Sequence, residues 1–86
     1  MSILKVSIRQ VKAARALLGW SQIELANAAA ISVPTVKRLE AKDGYLGGRS
    51  ETARKIRQAL ERGGIQFIEE NGGGPGVRVR TRGRAD

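Results

Sequence analysis

Residues 21–41 read SQIELANAAAISVPTVKRLEA, a stretch that contains two helix starts separated by a short break. At the first start, Ser21 is followed three residues later by Glu24, which is the spacing of a capping box. In this motif each side chain bonds the backbone N–H of the other residue, so the pair marks the beginning of a helix. We therefore predict a helix over residues 22–29.

A second helix is predicted from about Val33 to Ala41. Ser32 can cap it, and Pro34 is tolerated in the first turn because backbone N–H groups there have no intrahelical partner. The side chains expected to lock the two helices at a large angle are Leu25, Ile31, Val36 and Leu39, and Ala26 is small enough to let the second helix cross there. The stretch therefore predicts two short helices joined by a tight turn.

One further helix is predicted on each side of this pair. The first spans about Ser7 to Leu18 and ends at Gly19, and it opens with the capping-box spacing of Ser7 and Gln10. The other spans Glu51 to about Arg62 and is capped by Ser50. Both carry apolar residues at helical intervals, namely Ile8, Val11, Ala14 and Leu18 in one and Ala53, Ile56 and Leu60 in the other.

The C-terminal sequence alternates apolar and polar residues with the period of a β-strand. We expect a hairpin that pairs residues 65–69 with 76–81, and the alternative for this segment is a disordered tail. Residues 83–86 are expected to be disordered in either case. An isolated hairpin is marginal in water, so it needs either the helices or a second copy as a partner surface. The predicted fold is mainly α, with about four helices and a short C-terminal β-hairpin.

The composition excludes several classes of function. The 86 residues suffice for one domain with a modest core, and they include no cysteine and no histidine. Disulfides, thiolate metal sites and imidazole chemistry are therefore excluded. Serines and carboxylates without a suitable base offer no nucleophile system, so we expect no enzymatic activity, no metal and no cofactor.

No apolar run approaches the roughly 20 residues that span a bilayer, and residues 1–6 do not read as a signal peptide. We therefore expect a cytoplasmic protein with no membrane partner. Sixteen Lys and Arg residues against eight Asp and Glu residues give a net charge of +8. This excess is typical of nucleic-acid binding, although a merely soluble basic protein or a binder of RNA or of acidic membrane surfaces is the alternative.

The residue pattern of the central helices resembles the helix-turn-helix of the Cro/lambda-repressor-like (XRE) family of transcriptional regulators. The resemblance covers about Val6–Leu60, and it is carried by Ser21-Gln22-x-Glu24-Leu25-Ala26, by Ala30-Ile31-Ser32 and by Thr35-Val36-x-x-Leu39-Glu40. It implies a lambda-repressor-like bundle in residues 1–64 whose recognition helix, about 33–41, enters the major groove of double-stranded DNA. The regulator would be bacterial or phage-borne, such as a repressor, and associated with the nucleoid while bound.

The resemblance also implies roles for individual residues. Base contacts are expected from Val33, Pro34, Lys37 and Arg38, of which Arg38 is the best candidate for a bidentate bond to guanine. Phosphate contacts are expected from Ser21, Gln22, Thr35, Lys42 and Arg49. Arg15 and Glu40 match a pair that forms a salt bridge between the first and third helices, and a solvated, unpaired Arg15 is the alternative.

The sequence departs from the family pattern at two places. Ala30 stands in the turn where glycine is frequent, and if that position is left-handed the alanine costs roughly 1 kcal/mol. The hairpin at residues 65–82 stands where many members have a fifth helix. The dimer geometry of the family therefore cannot be transferred to this chain.

A single recognition helix reads only a few base pairs, so we expect a homodimer on a palindromic operator, with recognition helices about 34 Å apart. The candidate dimerisation residues are Ile65, Phe67, Val77 and Val79. The alternative function is a protein-interaction module, such as an antitoxin or anti-activator, whose hairpin edge pairs with a strand of a regulatory partner protein. Four arginines alternate along that edge, where they can add phosphate contacts or keep the sheet edge soluble: Arg78, Arg80, Arg82 and Arg84.

Overall fold

The computed structural model of the chain describes residues 6–46, 50–70 and 72–80. These ranges contain four α-helices followed by a two-stranded antiparallel sheet: α1 (Ile8–Leu18), α2 (Gln22–Ala29), α3 (Val33–Glu40), α4 (Glu51–Arg62), β1 (Ile65–Ile68) and β2 (Gly76–Val79). The predicted mainly α fold with a C-terminal hairpin is confirmed. Residue 81, the predicted end of the second strand, and the predicted tail 83–86 lie outside the described residues.

Each of the four helices begins directly after a serine. The hydroxyl of this serine accepts a hydrogen bond from a backbone N–H in the first helical turn, at Ser7, Ser21, Ser32 and Ser50. The predicted capping boxes at the starts of α1 and α2 are both complete. Because these bonds satisfy N–H groups that have no partner within the helix, they place the helix starts locally.

The turn between α2 and α3 depends on a left-handed residue. Ala30 has φ 58° and ψ 45°, and it is the one residue other than glycine with positive φ in the described part of the chain. The next residue, Ile31, donates its backbone N–H to the carbonyl of Ala26 at 3.0 Å, which closes the end of α2. The strained alanine thus redirects the chain so that Ser32 can start α3.

All four helices and β1 contribute to one hydrophobic core. Its buried residues are Val6, Ile8, Val11, Ala14, Leu25, Ala26, Ala29, Val36, Leu46, Ala53, Ile56, Ala59, Leu60, Ile65 and Phe67. Trp20 and Leu39 are half-buried at its margin. None of the described helices has both the length and the apolar character needed to cross a membrane.

The hairpin packs on α1 and α4. Ile65 pairs with Val79 and Phe67 with Val77, so these four side chains share the face turned toward the helices. Ile65 and Phe67 are only 1% and 8% exposed. The prediction that they form a dimer interface is therefore wrong, because they are part of the core of their own chain.

Gln10 holds the hairpin on α1. Its side chain is 5% exposed, and its Nε2 donates to the carbonyls of Ile68 and Gly76 at 3.2 and 2.9 Å. Its Oε1 accepts the backbone N–H of Ser7 in the capping box. One amide therefore joins the start of α1 to both strands, and the helices serve as the partner surface that the hairpin needs.

Candidate nucleic-acid interface

Helix α3 has one buried and one exposed face. Val36 and Glu40, one turn apart, are buried, whereas Pro34, Lys37 and Arg38 are exposed. Within the part of the chain that the structure describes, the side chains of Lys37 and Arg38 form no hydrogen bond and no ion pair. Two adjacent cations are therefore available to an external ligand.

Val33, also predicted to contact bases, occupies a different position. It is half-buried and packs against the core. The reason is helical geometry, since Val33 lies three residues before the fully buried Val36 and therefore shares its face. Val33 is therefore less exposed than Pro34, Lys37 and Arg38, and its base contact stays a prediction.

A hydrogen-bonded ion pair holds α3 against α1. Arg15 donates from Nε and Nη2 to the two carboxylate oxygens of Glu40, both at 2.8 Å, and from Nη1 to the carbonyl of Trp20 at 2.9 Å. Glu40 is only 6% exposed. The structure therefore shows the ion pair that the family resemblance implied, and it excludes the solvated, unpaired Arg15.

Gln22 joins the same network from the start of α2. Its Nε2 donates to Oε1 of Glu40 at 3.0 Å, which ties the start of α2 to the end of α3. Because an amide nitrogen carries two hydrogens and its oxygen is an acceptor, this bond uses only part of the capacity of the side chain. Gln22 can therefore still contact a phosphate from this position.

The network changes the acidity of both charged groups. Burial works against the charged form of Glu40, but hydrogen bonds from Arg15 and Gln22, together with the positive charges of Arg15 and Lys12, outweigh it, and the pKa of Glu40 is lowered. The hydrogen bond to Glu40 raises the pKa of Arg15 against the opposing effect of burial. Both groups are therefore charged at neutral pH. The negative charge of Glu40 is neutralised by Arg15, so it would not repel an anionic ligand at this surface.

Lys12 is a candidate that the sequence reasoning missed. It lines a shallow groove between α1 and α3 together with Gln22, Lys37 and Ala41, and Arg15 and Glu40 form the remaining walls. Lys12 lies three residues before Arg15, so it shares the face of α1 that meets α3. This spacing is the signal that could have identified it.

The remaining residues predicted to contact phosphate differ in whether their polar groups are already hydrogen-bonded within the chain. Lys42 is exposed just after α3, whereas the hydroxyls of Ser21 and Thr35 are already engaged in helix caps. A capping hydroxyl that only accepts a bond keeps its proton, so Ser21 can still donate to a phosphate. Arg49 lies outside the described residues.

The described residues contain no group of His, Cys, Asp and Glu side chains that could hold a metal ion. Comparison of the sequence with protein-family models and with curated proteins finds no match. The interpretation of this surface therefore depends on its geometry and charge.

Proposed function

We propose that this protein is a sequence-specific DNA-binding transcriptional regulator that inserts α3 into the major groove. The observation that carries the proposal is the two-sided character of α3. Its inner face is fastened by Val36 and the Arg15–Glu40 pair, and its outer face presents Lys37 and Arg38, whose side chains bond no other residue in the described part of the chain. The major groove of B-DNA admits an α-helix and displays a different hydrogen-bonding pattern for each base pair.

The exposed residues divide into those that read bases and those that hold phosphates. Arg38 can form a bidentate bond to O6 and N7 of guanine, and Lys37 can contact a base or a phosphate. Pro34 lacks a side-chain donor, and it suits contact with a thymine methyl group. Lys12, in the groove between α1 and α3, and Lys42, just after α3, would contact DNA phosphates and set the register of the helix.

A homodimer on a palindromic operator extends this proposal. One α3 reads too few base pairs to find one site in a genome, whereas two copies separated by about 34 Å would read two half-sites one helical turn apart. Regulation of transcription would then follow from occupancy of the operator in the cytoplasm. Footprinting of DNA selected from a random pool would report the half-site, its spacing and its symmetry together.

The test of the recognition surface is a pair of double variants with equal change in charge. Lys37→Ala with Arg38→Ala should abolish sequence-specific binding to the selected DNA. Lys55→Ala with Arg57→Ala, on α4, should leave specificity intact, since α4 does not carry the proposed contacts. Retained specificity in the first variant would show that α3 is not the reading helix.

Single variants separate reading from anchoring. Arg38→Ala should cost about 1–3 kcal/mol at one base pair and relax the preference for guanine there. Lys42→Ala should weaken binding to all sequences alike and reduce the slope of log K against log salt by about 1. Equal losses for both double variants, without any base preference, would instead indicate binding through charge alone.

A further inference from the structure

The outer edge of β2 carries backbone groups that are not used within the hairpin. The backbone N–H of Arg80 donates to the carbonyl of Gly64 at 2.7 Å, so these two residues form a hydrogen-bonded pair. Bonded and non-bonded pairs alternate along an antiparallel ladder, so Val79 and Val77 belong to non-bonded pairs. Their N–H and C=O groups therefore point away from β1.

The position of Gln10 supports this register independently. Its single Nε2 reaches the carbonyl oxygens of both Ile68 and Gly76, which face each other in the ladder. Two carbonyls on opposite outer edges of the hairpin would be too far apart for one nitrogen. Ile68 and Gly76 are therefore a bonded pair, and their neighbours along the chain turn their backbone groups outward.

An exposed apolar strip lies beside this edge. Leu17 and Val79 are 51% and 46% exposed, and they line one groove with Leu18 at the end of α1. Ala13 is exposed one helical turn before Leu17, on the same face of α1. Because Gln10 holds the start of β2 and Leu17 adjoins its end, α1 runs alongside β2 in the same direction. A strand added to β2 would turn alternate side chains toward this strip.

The charges along the edge indicate what the added strand contains. Arg78 is exposed on the outer face of the sheet, and Arg62 and Arg80 line the groove. If β2 paired antiparallel with the β2 of a second copy, Arg78 of one chain would stand opposite Arg78 or Arg80 of the other, except in the register centred on Val77. That register sets Val79 opposite Pro75, which has no N–H to donate. Like charges directly opposite each other destabilise a sheet, whereas opposite charges stabilise it.

We propose that the β2 edge and the strip of Ala13, Leu17 and Val79 bind an extended segment of a partner protein in which acidic and apolar residues alternate. The main chain of that segment bonds Val77 and Val79, its apolar side chains cover the strip, and a carboxylate faces Arg78. The site goes beyond the proposed recognition of DNA. It lies where β2 meets α1. Helix α3 packs on α1 and α2, and its Lys37 lines a different groove, the one between α1 and α3.

The experiment uses the full chain and a blocked synthetic peptide, acetyl-Ser-Val-Glu-Val-Glu-Val-Ser-amide. Binding of this peptide should slow hydrogen exchange of the Val77 and Val79 amides by about tenfold or more, because their N–H groups gain acceptors. A matched peptide with Lys in place of both Glu residues should bind at least about tenfold more weakly. General attraction to a basic protein would not protect these two amides selectively.

Two substitutions at one position isolate the main-chain contribution. Val79→Pro removes an outward N–H without removing a bond to β1, and it should weaken binding of the acidic peptide by about tenfold. Val79→Ile keeps both the N–H and an apolar, β-branched side chain on the strip, so it should lose much less affinity than Val79→Pro. Should Val79→Pro fail to fold, Arg78→Glu serves in its place, since it should reverse the preference between the two peptides.

Three outcomes would overturn the proposal. These are equal binding of both peptides, absence of protection at Val77 and Val79, and self-association of the wild type that Val79→Pro abolishes. The last would assign the edge to a second copy. The DNA affinity of Val79→Pro should remain that of the wild type, so failure of this site and failure of the proposed DNA recognition are distinguishable.

Discussion

Glu40 connects the candidate interface to the core at the scale of a single residue. It lies on α3 three positions after Lys37, yet its carboxylate points inward to Arg15 and Gln22. Burying this carboxylate without its partners would lower the stability of the fold. The hydrogen bonds therefore restrict rotation of α3 about its own axis relative to α1. The outward orientation of Lys37 and Arg38 depends on this internal contact.

We expect Arg15→Met to lower the free energy of unfolding by about 3–5 kcal/mol, because it leaves Glu40 buried without its cation. The double variant Arg15→Met with Glu40→Met should be more stable than the single one, since no unpaired charge remains. Urea denaturation of the four proteins of this double-mutant cycle measures the coupling. Additive losses would show that the pair does not act as a unit.

The same pair predicts how stability depends on pH. The pKa of Glu40 is lowered in the folded chain relative to its ordinary value of 4.5. Its contribution is therefore fully present above that value and is lost as the pH falls through the lower, folded pKa. The free energy of unfolding, measured from neutral pH to pH about 3, should fall less steeply for Glu40→Gln than for the wild type.

At Ala30 we predict a substitution that raises the free energy of unfolding. Its left-handed conformation is unfavourable for alanine and ordinary for glycine. Ala30→Gly should raise the free energy of unfolding by about 0.5–1 kcal/mol, after the greater entropy of glycine in the unfolded chain is subtracted. Thermal unfolding checks this, with Ala28→Gly inside α2 as a control that should lower stability. A loss of stability in Ala30→Gly would contradict the strain argument.

At the scale of elements, close approach decides how α4 ends and the hairpin begins. Gly63 caps α4 in an ordinary right-handed conformation, so its backbone does not require glycine. Glycine is required here by the lack of space, because a Cβ at this position would lie 3.0 Å from Leu18 Cδ1 and from two ring carbons of Trp20. The corner between α1 and α2 therefore rests directly on the end of α4.

Gly63→Ala should consequently lower the free energy of unfolding by about 1–2 kcal/mol, since Leu18 and the Trp20 ring must shift. Gly73→Ala is the matched control, because a Cβ at Gly73 meets no atom within 4 Å among the described residues. Chemical denaturation followed by Trp20 fluorescence measures both. Equal effects of the two substitutions would indicate that the contact at Gly63 is not limiting.

At the scale of the whole molecule, the hairpin and the helices share one core. Phe67 and Ile65 enter it from β1, and Gln10 fastens both strands to α1. The helices and the C-terminal hairpin therefore do not pack as two separate units, although the sequence divides the chain into these two parts. We expect the molecule to unfold as one cooperative unit.

Phe67→Ala should lower the free energy of unfolding by about 3–4 kcal/mol through the cavity it creates. The loss should appear equally in the far-UV circular dichroism of the helices and in the fluorescence of Trp20, which lies far from β1 in sequence. Gln66→Ala, an exposed neighbour on the same strand, should have little effect. Persistence of the helical transition at its original midpoint in Phe67→Ala would show that the hairpin is an independent appendage.

The sequence by itself determined the helices, their starts and the charge of the molecule. The physical reason is that a cap such as Ser21 with Glu24 is satisfied within four residues, so its bonds do not depend on the rest of the fold. The alternation at residues 65–68 likewise predicted a strand, and net charge is a sum over residues.

Only the tertiary structure decided which surfaces remain available. Phe67 is buried because α1 and α4 meet the hairpin, Val33 turns toward the core with Val36, and Lys12 lies beside the groove of α3. These placements depend on contacts between residues distant in sequence, which no local pattern encodes. For the same reason the outward N–H groups of Val77 and Val79 became evident only once the register of the two strands was known.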